Sequence, residues 1–566
     1  MTAASPVPPV PASVTPGDLQ PEMPPTRWGD PAAAGPLPAA TRGLVDLVFG
    51  HHDTPARDRV DLPAPDLAPY HLVALRGLVG EDHVLLDDDL RRRRTRGKST
   101  PDLLRQREGD LADAPDVVLR PADHDQVVAV LGYCAEHRIA VVPFGGGTCV
   151  TGGLVAERGD LAGVVSLDLG RLRRLLALDP VSATATLEPG LRGPEAEALL
   201  AERGMMLGHY PQSFQFASIG GFAATRSSGQ SSAGYGRFDA MVVGLRVATP
   251  AGEVRLGTAP ANAAGPDLRQ LFLGSEGTLG VITEVTVRVR PLPEVKVYEG
   301  WRWPDFATGS EAMRQLAQSD LLPTVLRLSD EAETAINLAD PESVGGEEAG
   351  STGCLMIVGY EGTAAAVAAK QRAVTDVLAA AGGAQLGTEP GESWAHGRFD
   401  APYLRDGLLD AGVLVETLET ATFWSNRDRL YTAVKEALTA ELGEGTLVLC
   451  HVSHVYPTGC SLYFTVATPG GTASHNTGDT DTGAHNTGAH NTGTHNAPLE
   501  RWLPAKAAAC AAIVATGASI THHHAIGTDH KPYLVDEIGE VGVTALRALK
   551  QALDPAGILN PGVLIP

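Results

Sequence analysis

The chain has 566 residues, room for two or more domains with sizeable cores. A formal net charge of -23 excludes unspecific nucleic-acid binding, which needs a basic surface, while a hydrophobic content of 43% is that of an ordinary globular protein. The six cysteines, Cys134, Cys149, Cys354, Cys450, Cys460 and Cys510, form no C-x-x-C pair, so neither a disulfide framework nor a zinc knuckle is expected, and the plain compartment is a reducing cytoplasm.

Residues 1–40 are rich in Pro and Ala and read as a disordered or draped segment. Their start, MTAASPVPPVPASVTPGD, has neither the basic nor the apolar region of a signal peptide. Nowhere does the chain reach the roughly 18 consecutive apolar residues of a membrane helix. Residues 41–113 alternate charged and apolar positions and read as mainly helical. They end in a basic knot of Arg91, Arg92, Arg93, Arg94, Arg96 and Lys98. Two readings stand for it: a solvated helix end, or a contact for an anionic lipid surface or a phosphate-bearing substrate.

Residues 114–293 change to strand–helix–strand. PDVVLRP is a short strand, and Asp123 to His137 is a helix with an apolar stripe of Val127, Val128, Val130, Leu131 and Cys134. IAVVPF returns as a strand and breaks into Gly145, Gly146 and Gly147. Residues without Cβ let backbone N–H groups approach a ligand closely, and successive N–H groups suit phosphate. A glycine cluster by itself is more often a turn, but LFLGSEGTLGVITEVTVRV echoes it before another strand, so the two together suggest one pyrophosphate-bearing cofactor. MVVGLRVATPAGEVRL reads as a hairpin turning at Pro250, Ala251 and Gly252. Residues 294–550 form a less regular second block, with GCLMIVGYEG and SLYFTVA as strands. Within it, residues 469–498 repeat HNTG and can bury no core. Their His475, His485, His490 and His495 read as a solvated repeat, with metal scavenging the other reading. Residues 551–566 close the chain as Pro-containing turns.

PDVVLRPADHDQVVAV, VPFGGGTCVTGGL, GSEGTLGVITEVTVRVRPLPE and DPAGILNPGVL together resemble the flavin oxidoreductase superfamily of vanillyl-alcohol oxidase and p-cresol methylhydroxylase (PCMH). WAHGRFDAPYLRDGLLDAGVLVETLETATFWS, HVYPTGCSLYFTVA and ASITHHHAIGTDHKPYL narrow the resemblance to its alkyldihydroxyacetonephosphate synthase branch. It implies an α+β fold: a two-subdomain PCMH-type FAD-binding domain, a cap domain with an antiparallel sheet flanked by helices, and a C-terminal segment returning to the FAD domain. It implies noncovalent FAD, because Thr148 stands where some members carry a flavin-linked histidine.

The same resemblance implies an activity: exchange of the acyl chain of acyl-dihydroxyacetone phosphate for a fatty alcohol through a flavin N5 adduct, as in ether lipid synthesis. The expected partners are therefore amphiphilic small molecules, with no nucleic acid. Peripheral membrane contact and a homodimer are left open. Carried over by position, the flavin loops are Pro143, Phe144, Gly145, Gly146, Gly147, Thr148 and Cys149; then Gln212, Ser213, Phe214, Gln215, Phe216, Ala217 and Ser218; then Thr225, Arg226, Ser227 and Ser228; and finally Glu276, Gly277, Thr278, Leu279, Gly280, Val281 and Ile282.

Tyr463, His522, His523 and His524 are the implied catalytic residues, and Arg405 and Arg327 the implied substrate-binding ones. By residue type alone, each has a plainer reading. Tyr463 is a packed strand tyrosine, or a phenol that could act as a base only if positive charge lowered its pKa. The three histidines cannot all face one way on an extended chain, and His523 is the one expected at the flavin. Arg405 suits bidentate phosphate binding or a salt bridge to Asp406 or Glu416. Arg327 suits a substrate or a strand edge. His451 and His454, in HVSH, fall where flavin dehydrogenases for D-2-hydroxy acids carry metal-binding histidines. Strand spacing puts them on opposite faces, so no metal is expected, yet the pair keeps an FAD-linked D-2-hydroxy acid dehydrogenase or oxidase as the alternative.

Overall fold

The computed structural model describes residues 21–54, 56, 61–155, 157–336, 352–470 and 497–566. The first twenty residues of the Pro/Ala-rich segment and the HNTG repeat with its four histidines lie outside them.

The first half of the fold is built on two sheets. In one, Val117–Leu119, Val164–Asp168 and Ala140–Phe144 run parallel, with Val84–Leu85 antiparallel at the edge. The helix His124–His137 makes the crossover. Asp123 caps it by accepting from Gln126 N–H at 2.9 Å, and Val127, Val130, Leu131 and Cys134 are buried along one stripe. The C-terminus returns to this sheet: Val141 N–H donates to Ile558 O, and Asn560 N–H donates to Val141 O. The second sheet is antiparallel and holds Leu175–Asp179, Thr184–Leu187, Val281–Arg288, Val242–Thr249 and Gly252–Leu256.

The second half is a seven-stranded antiparallel sheet ordered Ala384–Gly387, Val295–Trp303, Cys354–Gly362, Val325–Ser329, Leu447–Val452, Gly459–Pro469 and Val413–Phe423. Strict alternation splits its two faces. On Gly459–Pro469, Leu462, Phe464 and Val466 enter a core shared with the helices Phe306–Gln318, Arg427–Leu442 and Ala497–Ala515. Tyr463, Thr465 and Ala467 point the other way, into a large cavity between this sheet and the glycine-rich loops.

The basic knot is neither a solvated helix end nor a lipid contact. Arg91, Arg92, Arg94, Arg96 and Lys98 are all buried. Arg94 pairs with Glu22 and with Asp168 (2.7 Å), Arg96 with Asp113 (2.7 Å), and Arg91 with Asp88 (2.8 Å). The helix Asp88–Arg93 is a single short element, after which the chain dives inward, so the buried cations need partners. Lys98 donates to the carbonyls of Pro24 and Pro25, fastening the N-terminal strap, and is the one residue of the knot that reaches the cavity.

Candidate active site

The cavity is about 570 Å³ and has three walls. The first is made of Pro143, Phe144, Gly145, Gly146, Gly147, Thr148 and Cys149 with Gln212, Ser213, Ala217, Ser218, Thr225, Ser227, Ser228, Glu276, Gly277, Gly280, Val281 and Ile282. The loops are closely nested. A Cβ on Gly146 would meet Phe216 O at 2.0 Å, and one on Gly145 would meet Ser218 Oγ at 2.3 Å, so these positions need glycine. Gln212 Nε2 is buried there with no hydrogen-bond partner among the described residues. An unpaired buried donor beside a Gly- and Ser-lined cleft fits the carbonyl edge and phosphates of a flavin dinucleotide.

Six residues of the expected flavin loops are not on this wall. Phe214 stacks on Phe399, Phe216 packs against Trp28, and Leu279 is in the core. Arg226 donates to the carbonyls of Leu273 and Gln270, holding the 269–275 segment, while the Thr278 hydroxyl donates to Ser275 O. Gln215 also does not line the cavity. Sequence adjacency carried these residues into the expectation; in the folded loops their side chains are taken up by packing and local hydrogen bonds.

The second wall is the inner face of the seven-stranded sheet. Register places Ser329 beside His451, His451 beside Tyr463, and Tyr463 beside Glu419, in one row across four strands. The His451 and Tyr463 rings stack at 4.9 Å and 14°. Burial pushes the Tyr463 phenol up to about 12, so here it is a protonated hydrogen-bond donor, giving its proton to Thr417 Oγ1 at 3.1 Å, and not the lowered-pKa base envisaged from sequence. Arg327 donates to Glu333 and lies 3.1 Å from His451 Nδ1, so it is no edge decoration. Burial opposes ionisation of Glu333, but His451 and Arg327 outweigh it and hold that carboxyl at about 2.

His451 and His454 both line the cavity, against the expectation of opposite faces, because the strand ends at Val452 and the chain swings inward before His454. His451 Nδ1 is engaged by Glu333 at 3.0 Å, and His454 Nδ1 by Ser228 and Ser232.

The triple histidine forms a turn over the sheet, with His523 and His524 at the cavity and His522 behind them. Glu419, which the sequence reading did not single out, holds that turn. Its carboxylate accepts the backbone N–H of His522 (2.7 Å), His523 (3.1 Å) and His524 (2.9 Å) and the Thr521 hydroxyl, and lies 3.4 Å from His523 Nδ1. Burial alone would raise this carboxyl; His523, then His524 and His522, outweigh it and keep it well below the carboxylate range. Desolvation drives His522 and His524 the other way, so both are neutral at pH 7, His524 falling to about 3. Nitrogens of His454, His522 and His523 lie within 4.8 Å of one another. The rings of His454 and His522 are stacked at 19°, however, so their in-plane lone pairs run side by side and do not meet at one point, which makes this a hydrogen-bonding array.

The third wall carries the cations. Arg405 donates to Asp406 (3.0 Å) and to Lys98 O (2.6 Å). Burial brings Lys98 down to about 7. Arg398 was also missed. Its guanidinium lies over Tyr210, Trp394 and Phe399, and Nε and Nη1 have no hydrogen-bond partner among the described residues. Beyond these cations the lining turns apolar through Leu404, Leu408, Leu447 and Leu449 to Leu44, Val45, Val48 and Phe49 of the helix Ala39–Phe49. The readable signal for Glu419 was an acid inside a strand of Leu, Val and Thr, since buried carboxylates are rare without a task.

Residues 115–257 match the FAD binding domain family, and residues 292–564 match the C-terminal domain of FAD linked oxidases. The alkyldihydroxyacetonephosphate synthase of Trypanosoma brucei brucei is 34% identical over 526 residues, 89% of this chain and 82% of its own. The enzyme of the same name from Dictyostelium discoideum is 31% identical, covering 93% and 85%. A solved alkyldihydroxyacetonephosphate synthase structure superposes with a TM-score of 0.79 at 27% identity, covering 96% of this chain and 99% of that one. The chain belongs to the alkyldihydroxyacetonephosphate synthase family, an enzyme family with FAD as cofactor. No helix among the described residues is long and apolar enough to cross a membrane.

Proposed function

We propose that the protein exchanges the acyl chain of acyl-dihydroxyacetone phosphate for a fatty alcohol, forming an ether lipid precursor. The observation that carries this reading is one cavity whose walls join glycine-lined loops, the Tyr463–triple-histidine row, a cluster of cations and an apolar extension. Pro143 to Cys149, Gln212, Ser213, Ser218, Glu276, Gly277 and Gly280 to Ile282 would hold the FAD, and Thr148 cannot form a histidyl link to it. When bound, FAD supplies the nucleophilic ring nitrogen that splits one hard displacement into two easier ones.

The chain's own residues do the rest. Arg327, Arg398, Arg405 and Lys98 make an electropositive wall suited to the phosphate. Tyr463, protonated, donates a hydrogen bond to the oxygen that leaves with the acyl group. His523, aimed by Glu419, accepts the proton of the incoming alcohol. The apolar extension takes the chains and excludes water. Leu47 and Val48, 83% and 45% exposed on the helix Ala39–Phe49 at the end of that extension, are proposed as a peripheral contact through which lipids enter.

The test is to incubate flavin-loaded protein with acyl-dihydroxyacetone phosphate and labelled hexadecanol. Labelled alkyl product is expected, and Tyr463→Phe should retain bound FAD while losing at least about a hundredfold in kcat, the usual scale for a lost acid–base group. Wild-type protein that makes no labelled product, but whose flavin bleaches anaerobically with D-lactate, would replace this reading with the 2-hydroxy acid dehydrogenase.

A further inference from the structure

A second cavity, about 420 Å³, lies beside Tyr456 and Ser519. It is lined by Tyr456, Cys460, Ser519, Asp536 and Glu537 among others, and the last two are solvent-exposed. A chain of hydrogen bonds joins a residue of the second cavity to one of the first. Tyr456 Oη lies 2.7 Å from His522 Nε2, and His522 Nδ1 lies 2.9 Å from His523 Nδ1. His523 borders the main cavity, and Tyr456 borders the second. His522 is buried, and Arg237 fixes its backbone by donating to its carbonyl at 2.9 Å.

We propose that Tyr456 and His522 form a proton path between His523 and solvent in the second cavity. This deepens the proposed chain exchange and rests on it. In that exchange the bond from the dihydroxyacetone carbon to the ester oxygen breaks, its electron pair leaving on the carboxylate, and a bond from that carbon to the alcohol oxygen forms, releasing the alcohol proton; the carbon is held in between by the nucleophile that bound FAD would supply. His523 Nε2 takes that proton. The Nδ1 proton of His523 passes to His522 Nδ1, the Nε2 proton of His522 passes to Tyr456 Oη, and the Tyr456 proton enters the second cavity. When the next acyl group departs, His523 Nε2 gives its proton to the leaving carboxylate and the path runs inward, restoring the starting tautomers. One proton goes out and one comes in per turnover, and the fatty acid ionises in bulk water. The neutral state that burial imposes on His522 suits an imidazole that must both accept and donate.

The experiment compares wild-type, Tyr456→Phe and His522→Gln holoenzymes in H2O/D2O mixtures, with the bound-flavin spectrum as the control for folding. Wild type should give a curved proton inventory, because several protons move in one step. Tyr456→Phe should lower kcat about tenfold with KM unchanged and turn the inventory linear; His522→Gln should do the same more strongly. A Tyr456→Phe enzyme with wild-type kcat and a curved inventory overturns the path, as does a linear inventory in wild type. An independent readout is 15N NMR of the imidazoles: coupling across the His522–His523 bond that changes in Tyr456→Phe supports the path, and no coupling in wild type overturns it. Absence of labelled alkyl product would fall on the exchange reaction alone, since the NMR result decides the path without turnover.

Discussion

Replacing Glu419 with Gln is nearly isosteric and tests whether one carboxylate organises the triple-histidine turn. Oε1 accepts from His523 N–H, His524 N–H and the Thr521 hydroxyl; Oε2 accepts from His522 N–H at 2.7 Å. Glutamine offers oxygen on one side only. Placed to keep the three bonds of Oε1, it turns its NH2 group toward His522 N–H, donor against donor in a buried site. The loss is one hydrogen bond to a charged acceptor, worth about 1.5–3 kcal/mol, together with about 1–3 kcal/mol for the N–H left unpaired. The two overlap, so the net expectation is about 3 kcal/mol. Urea unfolding of the flavin-loaded protein, followed by flavin fluorescence, should show a clearly lower midpoint for E419Q. Its kcat should fall more than tenfold while KM changes little, because the histidines lose their aim and the cation wall does not. An E419Q protein with both midpoint and kcat unchanged would refute the claim that this carboxylate holds the turn.

Gly146→Ala should fold but purify with little flavin, read as the ratio of absorbance near 450 nm to that at 280 nm, because its Cβ would sit 2.0 Å from Phe216 O; full flavin loading would contradict the close nesting of the loops. Glu333 gives a pH prediction. Its folded-state pKa of about 2 lies below the ordinary 4.5, so its ionisation stabilises the fold above about pH 4.5, and that contribution disappears as pH falls toward 2. The span corresponds to about 3 kcal/mol. Glu333→Gln should therefore be the less stable protein at pH 7 and lose less stability on acidification, and identical acid-unfolding curves would rule this out.

Much of the outline is legible in the chain itself. The capped, striped helix at His124, the glycine breaks at Gly145 to Gly147 and the alternation around Tyr463 are local patterns, dictated by dihedral freedom and side-chain period. The flavin fold and its synthase branch come from resemblance, carried by the glycine-rich motifs and by the segments around Arg405, Tyr463 and the triple histidine. Other features were closed to sequence because they depend on which distant groups meet. Arg91 to Lys98 read as a solvated face until Glu22, Asp113 and Asp168 are seen against them. His454 leaves its strand after Val452, so period-2 spacing misplaces it. Glu419 matters because antiparallel register sets it beside Tyr463 and under three N–H groups about a hundred residues away. The sequence alone determined element types and the glycine-lined loops, whose physics is short-range. Tertiary structure decided the pairing of charges, the protonation of Tyr463 and the aim of the histidines, because burial and register are properties of the assembled sheet and belong to no single segment.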